Sequence, residues 1–329
     1  MDRDFEFETD DARNNARLNN GSTEGIDRRG MLECMAWVGT GLLWSISGGI
    51  PTSRVLGQDA APASTGSFSF VQISDSHIGF SRAPNKDVAG TLRETVARIN
   101  RLRQTPTLLL HTGDITHGAK EAEFDACDQI LREAKTGERV YVPGEHDVYD
   151  DGKLYLERYG KRTQGGGWQS FDDHGVHFIG LVNVLNAGAG QLGTLGTEQL
   201  TWLKKDVAPL PDSTPIVVFA HVPLWSVYPK WGWGTEDGGQ ALELLRRFGS
   251  VTVLNGHIHQ TLQKVEGNIT FHTACSTAFP QPKPGTAPSP GPMKGVPAEK
   301  LRRMLGLTSV RYVEGEKSLA IVDVPLERA

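Results

Sequence analysis

Five short clusters of metal-ligand side chains follow one another along this chain, each just after an apolar run. They are Asp75-Ser76-His77, Gly113-Asp114, Gly144-Glu145-His146-Asp147, His221 and Gly256-His257-Ile258-His259. A fold that uses them together must bring distant segments to one rim. An alternating α/β sheet does so, because loops after its strands collect along one edge. The runs themselves read as strands: Phe68 to Ile73, Thr107 to Leu110, Val140 to Val142, Val176 to Leu181, Pro215 to Ala220 and Val251 to Leu254. Between them, Val88, Leu92, Val96, Ile99 and Leu102 recur at three or four residues, the spacing of a helix face. Phe124, Ile130 and Leu131 mark a second helix. Thr197 is expected to cap a third, with Glu198 and Gln199 in its first turn and Leu200, Leu203 and Val207 on one face. The tail from Thr261 to Val324 reads mostly as β-structure, and no internal repeat is visible.

The residue types constrain the chemistry further. In Asp75-x-His77 and His257-x-His259, alternate residues of an extended chain would share a face. Glycine before Asp114, Glu145 and His257 is expected to allow tight backbone turns beside a ligand. A mixture of imidazoles and carboxylates suits Fe, Mn, Zn or Ni better than Ca or Mg.

At these residues the chain resembles the calcineurin-like metallophosphoesterase superfamily, whose pattern is D-x-H, G-D, G-N-H-[DE], a lone His and G-H-x-H in that order. The resemblance spans residues 75–259. It implies an α/β fold, a four-layer α-β-β-α sandwich with two packed mixed sheets. It also implies a centre of two metal ions. Asp75, His77 and His259 would hold one ion, Asp114 would bridge, and His221, His257 and Glu145 would hold the other. His146 would face the substrate as a general acid or charge stabiliser for the leaving oxygen. Two such ions deprotonate a shared water and clamp phosphoryl oxygens for in-line attack, so no protein nucleophile is required. His117, close after Asp114, is the best candidate for a supporting contact.

Two departures from the pattern matter. The protein-phosphatase branch extends its second block to G-D-x-x-D-R-G, whereas this chain has Gly113-Asp114-Ile115-Thr116-His117-Gly118. That points toward the cyclic-nucleotide and small-phosphodiesterase branch, and it leaves the partner of His146 unidentified. The second departure is Glu145, where the pattern has a neutral Asn. With Asn, two divalent ions and a hydroxide leave one positive charge in the first shell; an ionised Glu145 cancels it. At about 5 Å from a phosphoryl group and an effective dielectric of 20, one charge is worth about 3 kcal/mol before relaxation. Either Glu145 is a ligand that favours a trivalent ion, giving a mixed Fe(III)/M(II) centre, or it turns away and leaves the second site weak. The functional expectation is a metal-dependent phosphoric ester hydrolase acting on phosphodiesters or small organic phosphates. The alternative is a metal-binding but catalytically reduced scaffold on the same fold.

The remaining expectations concern context. Residues 1–60 read as an export signal with a polar leading region, and 61–329 as the metallophosphoesterase domain. Arg28-Arg29, the uncharged stretch from Cys34 to Ile50 and the small residues of Gly57 to Ala63 resemble a twin-arginine signal cleaved near residue 60. That implies the export machinery as a partner, a periplasmic or extracytoplasmic location, and membrane contact only through the signal. The formal net charge of -5 offers no basic excess to track a nucleic-acid polymer. Cys127 and Cys275 are expected as free thiols. Residues 223–239, with Trp225, Tyr228, Trp231 and Trp233, and the Pro/Gly-rich 280–297 are expected to wall a pocket. Packing of those tryptophans against a sheet is expected over insertion at a membrane interface.

Overall fold

The computed structural model describes residues 42–47, 50–55, 67–185, 191–313 and 319–327. Arg28, Arg29, Cys34, the Gly57 to Ala63 stretch and the boundary expected near residue 60 lie outside them. Strands β1 (Leu42–Ser47) and β2 (Ile50–Val55) pair antiparallel with each other. The order from there is β3 (Ser67–Ile73), α1 (Val88–Ile99), β4 (Leu108–Thr112), α2 (Glu121–Leu131), β5 (Glu138–Val142), α3 (Lys153–Tyr159), β6 (Gln169–Asp173) and β7 (Val176–Gly180). It continues through α4 (Gly196–Val207), β8 (Ile216–Phe219), α5 (Gly238–Leu245), β9 (Val251–Asn255), β10 (Leu262–Glu266), β11 (Ile269–Thr273), α6 (Ala298–Met304), β12 (Gly306–Val313) and β13 (Ala320–Pro325). No described helix is long and apolar enough to cross a membrane.

Two mixed sheets result. One runs β13-β12-β3-β4-β5, with β3, β4 and β5 parallel; the other runs β10-β11-β9-β8-β7-β6, with β11, β9, β8 and β7 parallel. Strand alternation sorts the side chains into layers. Phe68, Phe70, Leu108, Leu110, Val140 and Val142 pack with Val176, Phe178, Val217, Phe219 and Leu254 between the sheets. Their neighbours Val71, Ile73 and Leu109 point the other way, onto Val88, Leu92, Val96 and Phe124 of α1 and α2. Ile216, Val218, Val251 and Val253 do the same against Leu203, Val207, Leu242 and Leu245 of α4 and α5. These strands read as continuous apolar runs because both faces are covered. The four-layer α-β-β-α arrangement expected from the sequence is present.

One local reading needs correction. Thr197 does not cap α4: the helix begins at Gly196, and Leu195 precedes it without a side-chain cap. The carboxylate of Asp237, far along the chain, instead accepts from the backbone N–H groups of Leu195 and Gly196 at 2.9 and 2.8 Å. Glu198 and Gln199 do fall in the first turn, where Gln199 is buried and pairs both ways with the backbone of Val182. The stretch after Thr261 also contains α6 within its β-structure.

Candidate metal centre

All five ligand blocks follow strands: β3 leads to Asp75, β4 to Asp114, β5 to Glu145, β8 to His221 and β9 to His257. Their side chains meet. Asp114 Oδ2 lies 3.3 Å from His77 Nε2 and 3.5 Å from His221 Nε2, so one carboxylate oxygen faces both halves of the cluster. On one side, His259 Nε2 sits 3.2 Å from His77 Nε2 and 3.3 Å from Asp75 Oδ1. On the other, Glu145 Oε2 is 2.8 Å from His221 Nε2, and Glu145 Oε1 is 3.0 Å from His257 Nδ1. Glu145 therefore turns into the cluster and reaches both imidazoles. Ligand atoms converge in Asp75, His77, Asp114 and His259, in Glu145, His221 and His257, and in His77, His117 and His146. His146 joins Asp114 and Glu145 at the edge of the second.

The backbone achieves this convergence differently from the expected strand alternation. β3 ends at Ile73, and Asp75 and His77 adopt φ 54° and 41°. Asp114, His257 and His259 are also left-handed, at φ 52°, 69° and 51°. Each such conformation in a residue other than glycine costs about 1–3 kcal/mol and persists only where its surroundings enforce it. Here the loops enforce it on one another: Asp75 N–H donates to Gly113 O, His77 N–H to Asp114 O and Ile78 N–H to Ile115 O, at 3.0, 2.9 and 3.1 Å.

The glycines serve close approach more than turning. A Cβ at Gly144, whose φ is -99°, would fall 2.1 Å from Asp114 Oδ1. One at Gly256 would fall 1.9 Å from Ser74 Oγ and 2.7 Å from Asp75 Oδ2. Gly113 alone of the three needs both, with φ 93° and a Cβ position 2.5 Å from His221 Nδ1.

Supporting contacts fix the rings. His221 Nδ1 donates to Thr112 O at 2.7 Å, and His259 Nδ1 donates to Phe279 O at 2.6 Å. A carbonyl only accepts, so Nδ1 carries the hydrogen and, in the neutral ring that a cation binds, each Nε2 presents its lone pair to the cluster. Those lone pairs face carboxylate oxygens and another imidazole nitrogen. Acceptors converging on acceptors is the arrangement a bound cation satisfies, and the N/O donor set suits a transition metal. The electrostatics agree. Burial alone pushes the pKa of His221 down, but Asp114 and Glu145 outweigh it and hold it well above its ordinary value. For Glu145, burial acts upward, yet His257 and His221 hold the carboxyl well below the usual range. Around His221 and Glu145 positive charge is favoured, whereas burial, and then the neighbouring imidazole of His146, hold His77 well below its ordinary value.

Two further residues, Asp147 and Tyr149, shape the site. Asp147, fully buried, accepts from Gly144 N–H, Ile115 N–H, Thr116 N–H and the Thr116 hydroxyl at 3.0, 3.0, 2.8 and 2.9 Å. It ties the Glu145 turn to the Asp114 loop; burial, then Asp114, raise its pKa to about 6. Tyr149 places its hydroxyl 2.9 Å from His146 Nδ1. The missing partner of His146 is a backbone group, His117 O, 2.9 Å from Nδ1. The His117 ring stacks on His146 at 4.7 Å, and its Nδ1 lies 3.3 Å from His77 Nδ1. A position three residues after Asp114 was the available signal for His117; nothing in spacing alone marks Tyr149.

The two irregular segments converge on the last block. Trp231 and Trp233 are buried against Ile258, the residue between His257 and His259. From the Pro/Gly-rich segment, Gln281 Nε2 donates to His257 O at 3.0 Å, and Gln260 Nε2 donates to the carbonyls of Gln281 and Pro282. They brace the histidine loop: Trp231 and Trp233 are buried, but against that loop and not against a sheet face. Cys127 and Cys275 are free thiols.

Comparison with known proteins agrees with this geometry. The chain is 28% identical over 218 residues to a probable glycerophosphodiester phosphodiesterase (GpdQ) of Arcobacter nitrofigilis, covering 63% of this chain and 77% of the relative. It is 26% identical over 221 residues to a 3',5'-cyclic-nucleotide phosphodiesterase of Nostoc sp., covering 64% and 79%. Among solved structures, a dimetal phosphatase from Danio rerio superposes with a TM-score of 0.62 at 15% identity, over 79% of this chain and 96% of that one, which is a likeness of fold. The family model for calcineurin-like phosphoesterases matches residues 68–261, more than half of the chain, and the protein belongs to that family.

Proposed function

We propose that this chain is an exported, two-metal phosphoesterase that prefers phosphodiesters, with small organic phosphates as the wider substrate class. The observation that carries the reading is Asp114 Oδ2 placed between His77 and His221, one from each half of the cluster. Asp75, His77 and His259 would hold one ion, His221, His257 and Glu145 the other, and Asp114 both. Iron, manganese or zinc fit the donor set, and the third carboxylate, Glu145, favours a trivalent ion such as Fe(III) in one position. When bound, such a pair acidifies water and neutralises phosphoryl charge.

The chain's own residues do the rest. The backbone bonds of His221 and His259 hold their lone pairs inward, so the cluster is preorganised. Phosphodiesters fit a site rimmed by imidazoles and lacking an Arg or Lys clamp for a dianion among the ligand blocks. His146, anchored through Nδ1 to His117 O, has its other ring edge free to meet the substrate. Burial pushes its pKa down, but Asp114 and Glu145 raise it overall, and a ring at this position can stabilise a leaving oxygen. A purely metal-binding scaffold has no use for that histidine. The relatives' printed activities, on glycerophosphodiesters and cyclic nucleotides, support the diester preference. Export rests on the Arg28-Arg29 pattern and the uncharged stretch after it.

Hydrolysis of bis(p-nitrophenyl) phosphate with Mn or Fe tests the function. The wild type should turn over only with metal, and His146→Ala should lose about 10²–10⁴-fold in kcat while keeping its metal. Absence of metal-dependent turnover on mono- and diesters would leave the scaffold reading in its place.

A further inference from the structure

Tyr149 is unusual in this molecule because 63% of its surface is exposed although its hydroxyl is engaged at the centre's edge. It follows the 3₁₀ turn Glu145–Asp147, three residues after His146, so its ring lies beside the imidazole with centroids 5.5 Å apart. Donor and acceptor bookkeeping fixes the direction of its bond. His117 O, 2.9 Å from His146 Nδ1, can only accept, so Nδ1 carries a hydrogen whether the ring is neutral or protonated. Tyr149 Oη, also 2.9 Å from Nδ1, therefore accepts a share of that hydrogen and cannot donate its own there. The phenolic O–H is left pointing elsewhere, on an exposed group beside a histidine whose ring nitrogen converges with Asp114 and Glu145.

Resting on the phosphoesterase reading, we propose that Tyr149 is a catalytic residue that donates a hydrogen bond to the leaving-group oxygen of the substrate. Its place beside the His146 ring, whose nitrogen converges with Asp114 and Glu145, suits the ester substituent better than the oxygens held at the centre. As the P–O bond to the leaving oxygen breaks, its electron pair stays on that oxygen. The phenol and His146 share the stabilisation of this charge, and solvent at the exposed rim completes the protonation. The contact matters most for substrates whose alcohol is a weak acid, so the ligand class is a phosphodiester with a poor leaving group. No reading from motif spacing includes this residue.

The test is Tyr149→Phe, which removes one exposed oxygen and keeps the ring. Metal-loaded wild type and variant are compared on diphenyl phosphate and bis(p-nitrophenyl) phosphate, with inhibition by inorganic phosphate as a readout lacking a leaving group. The expected result is a loss of about 10- to 100-fold in kcat on diphenyl phosphate. On the nitrophenyl diester the change should be under about threefold, since p-nitrophenolate departs unaided, with phosphate inhibition unchanged. Equal losses on both diesters, or none on either, overturn the proposal while leaving the phosphoesterase reading in place. A wild type inert toward both diesters overturns that reading and the proposal with it. Weakened phosphate inhibition in the variant would show a disturbed centre and count against a leaving-group contact.

Discussion

The two halves of the ligand cluster are built to different standards. Asp75, His77, Asp114 and His259 have side chains no more than 2% exposed, and all four hold left-handed backbone. In the other half, Glu145 is 30% and His257 14% exposed, and only His257 is left-handed. The inner half is thus enforced by backbone bonds between loops, whereas the rim half, beside the buried and backbone-anchored His221, is closed by one long carboxylate reaching two imidazoles. A backbone-enforced site would hold an ion more firmly, and one closed by a long side chain would exchange it more freely. The difference ranks the variants that probe it.

The largest effect is expected at the residue shared by both halves. Asp114→Asn should lower turnover by about 10³-fold or more and release metal from both, measured by elemental analysis and diester hydrolysis. A variant that keeps two ions would erase the distinction between shared and private ligands. Next is Glu145→Asn, confined to the rim. It should weaken rim binding by about tenfold, shift it away from a trivalent ion and tighten inorganic phosphate, with inner-half binding unchanged by calorimetry. Full activity of the wild type with two Zn(II) and no iron would rule out the trivalent preference. His117→Ala probes the inner half from outside, by removing the ring nitrogen facing His77 Nδ1. A drop of about tenfold in inner affinity, without rim change, is the expected titration.

The smallest effect is a control remote from both halves. His177 on β7 bridges Asp172 of the edge strand β6 and Asp206 of α4, at 2.8 and 3.0 Å. Burial acts downward on its pKa, but bonds to Asp206 and Asp172 raise it overall. A raised folded-state value stabilises the fold below the imidazole's unfolded pKa near 6.5, and this contribution fades as pH rises through the folded value. His177→Asn should therefore lower Tm at pH 5–6 more than at pH 9. An equal shift at both ends would mean the ion pairs carry no pH dependence, and a change in metal binding would mean the halves are not locally determined.

The inner half was also the more legible in the sequence. Its blocks follow apolar runs that alternate between two packed layers, so strand ends and ligands could be placed together. What spacing could not supply was the backbone state. Asp75-x-His77 looked like a strand face, yet positive φ values aim the two side chains, and only contacts with the Asp114 loop reveal that. The rim was harder still. Glu145 could be read as ligand or bystander until its carboxylate was seen between His221 and His257. Tyr149 and the carbonyl of His117 leave no compositional trace, since a backbone acceptor is the same in every residue. Thr197 misled for a related reason: a cap supplied by Asp237 from another segment overrides a good local signal. Short elements such as α3, α5 and β6 owe their form to what they pack against.

The glycines before the ligands carry a consequence for inheritance. Gly113, Gly144 and Gly256 donate no chemistry, yet a methyl group at any of them would occupy space held by a ligand or its neighbour. In a library of every single substitution, these silent positions should be as intolerant as Asp114 itself. Alanine, the mildest change elsewhere, would act there as a wedge between loops. The centre is thus specified partly by atoms that must never be present, and a variant can disable it with every ligand intact.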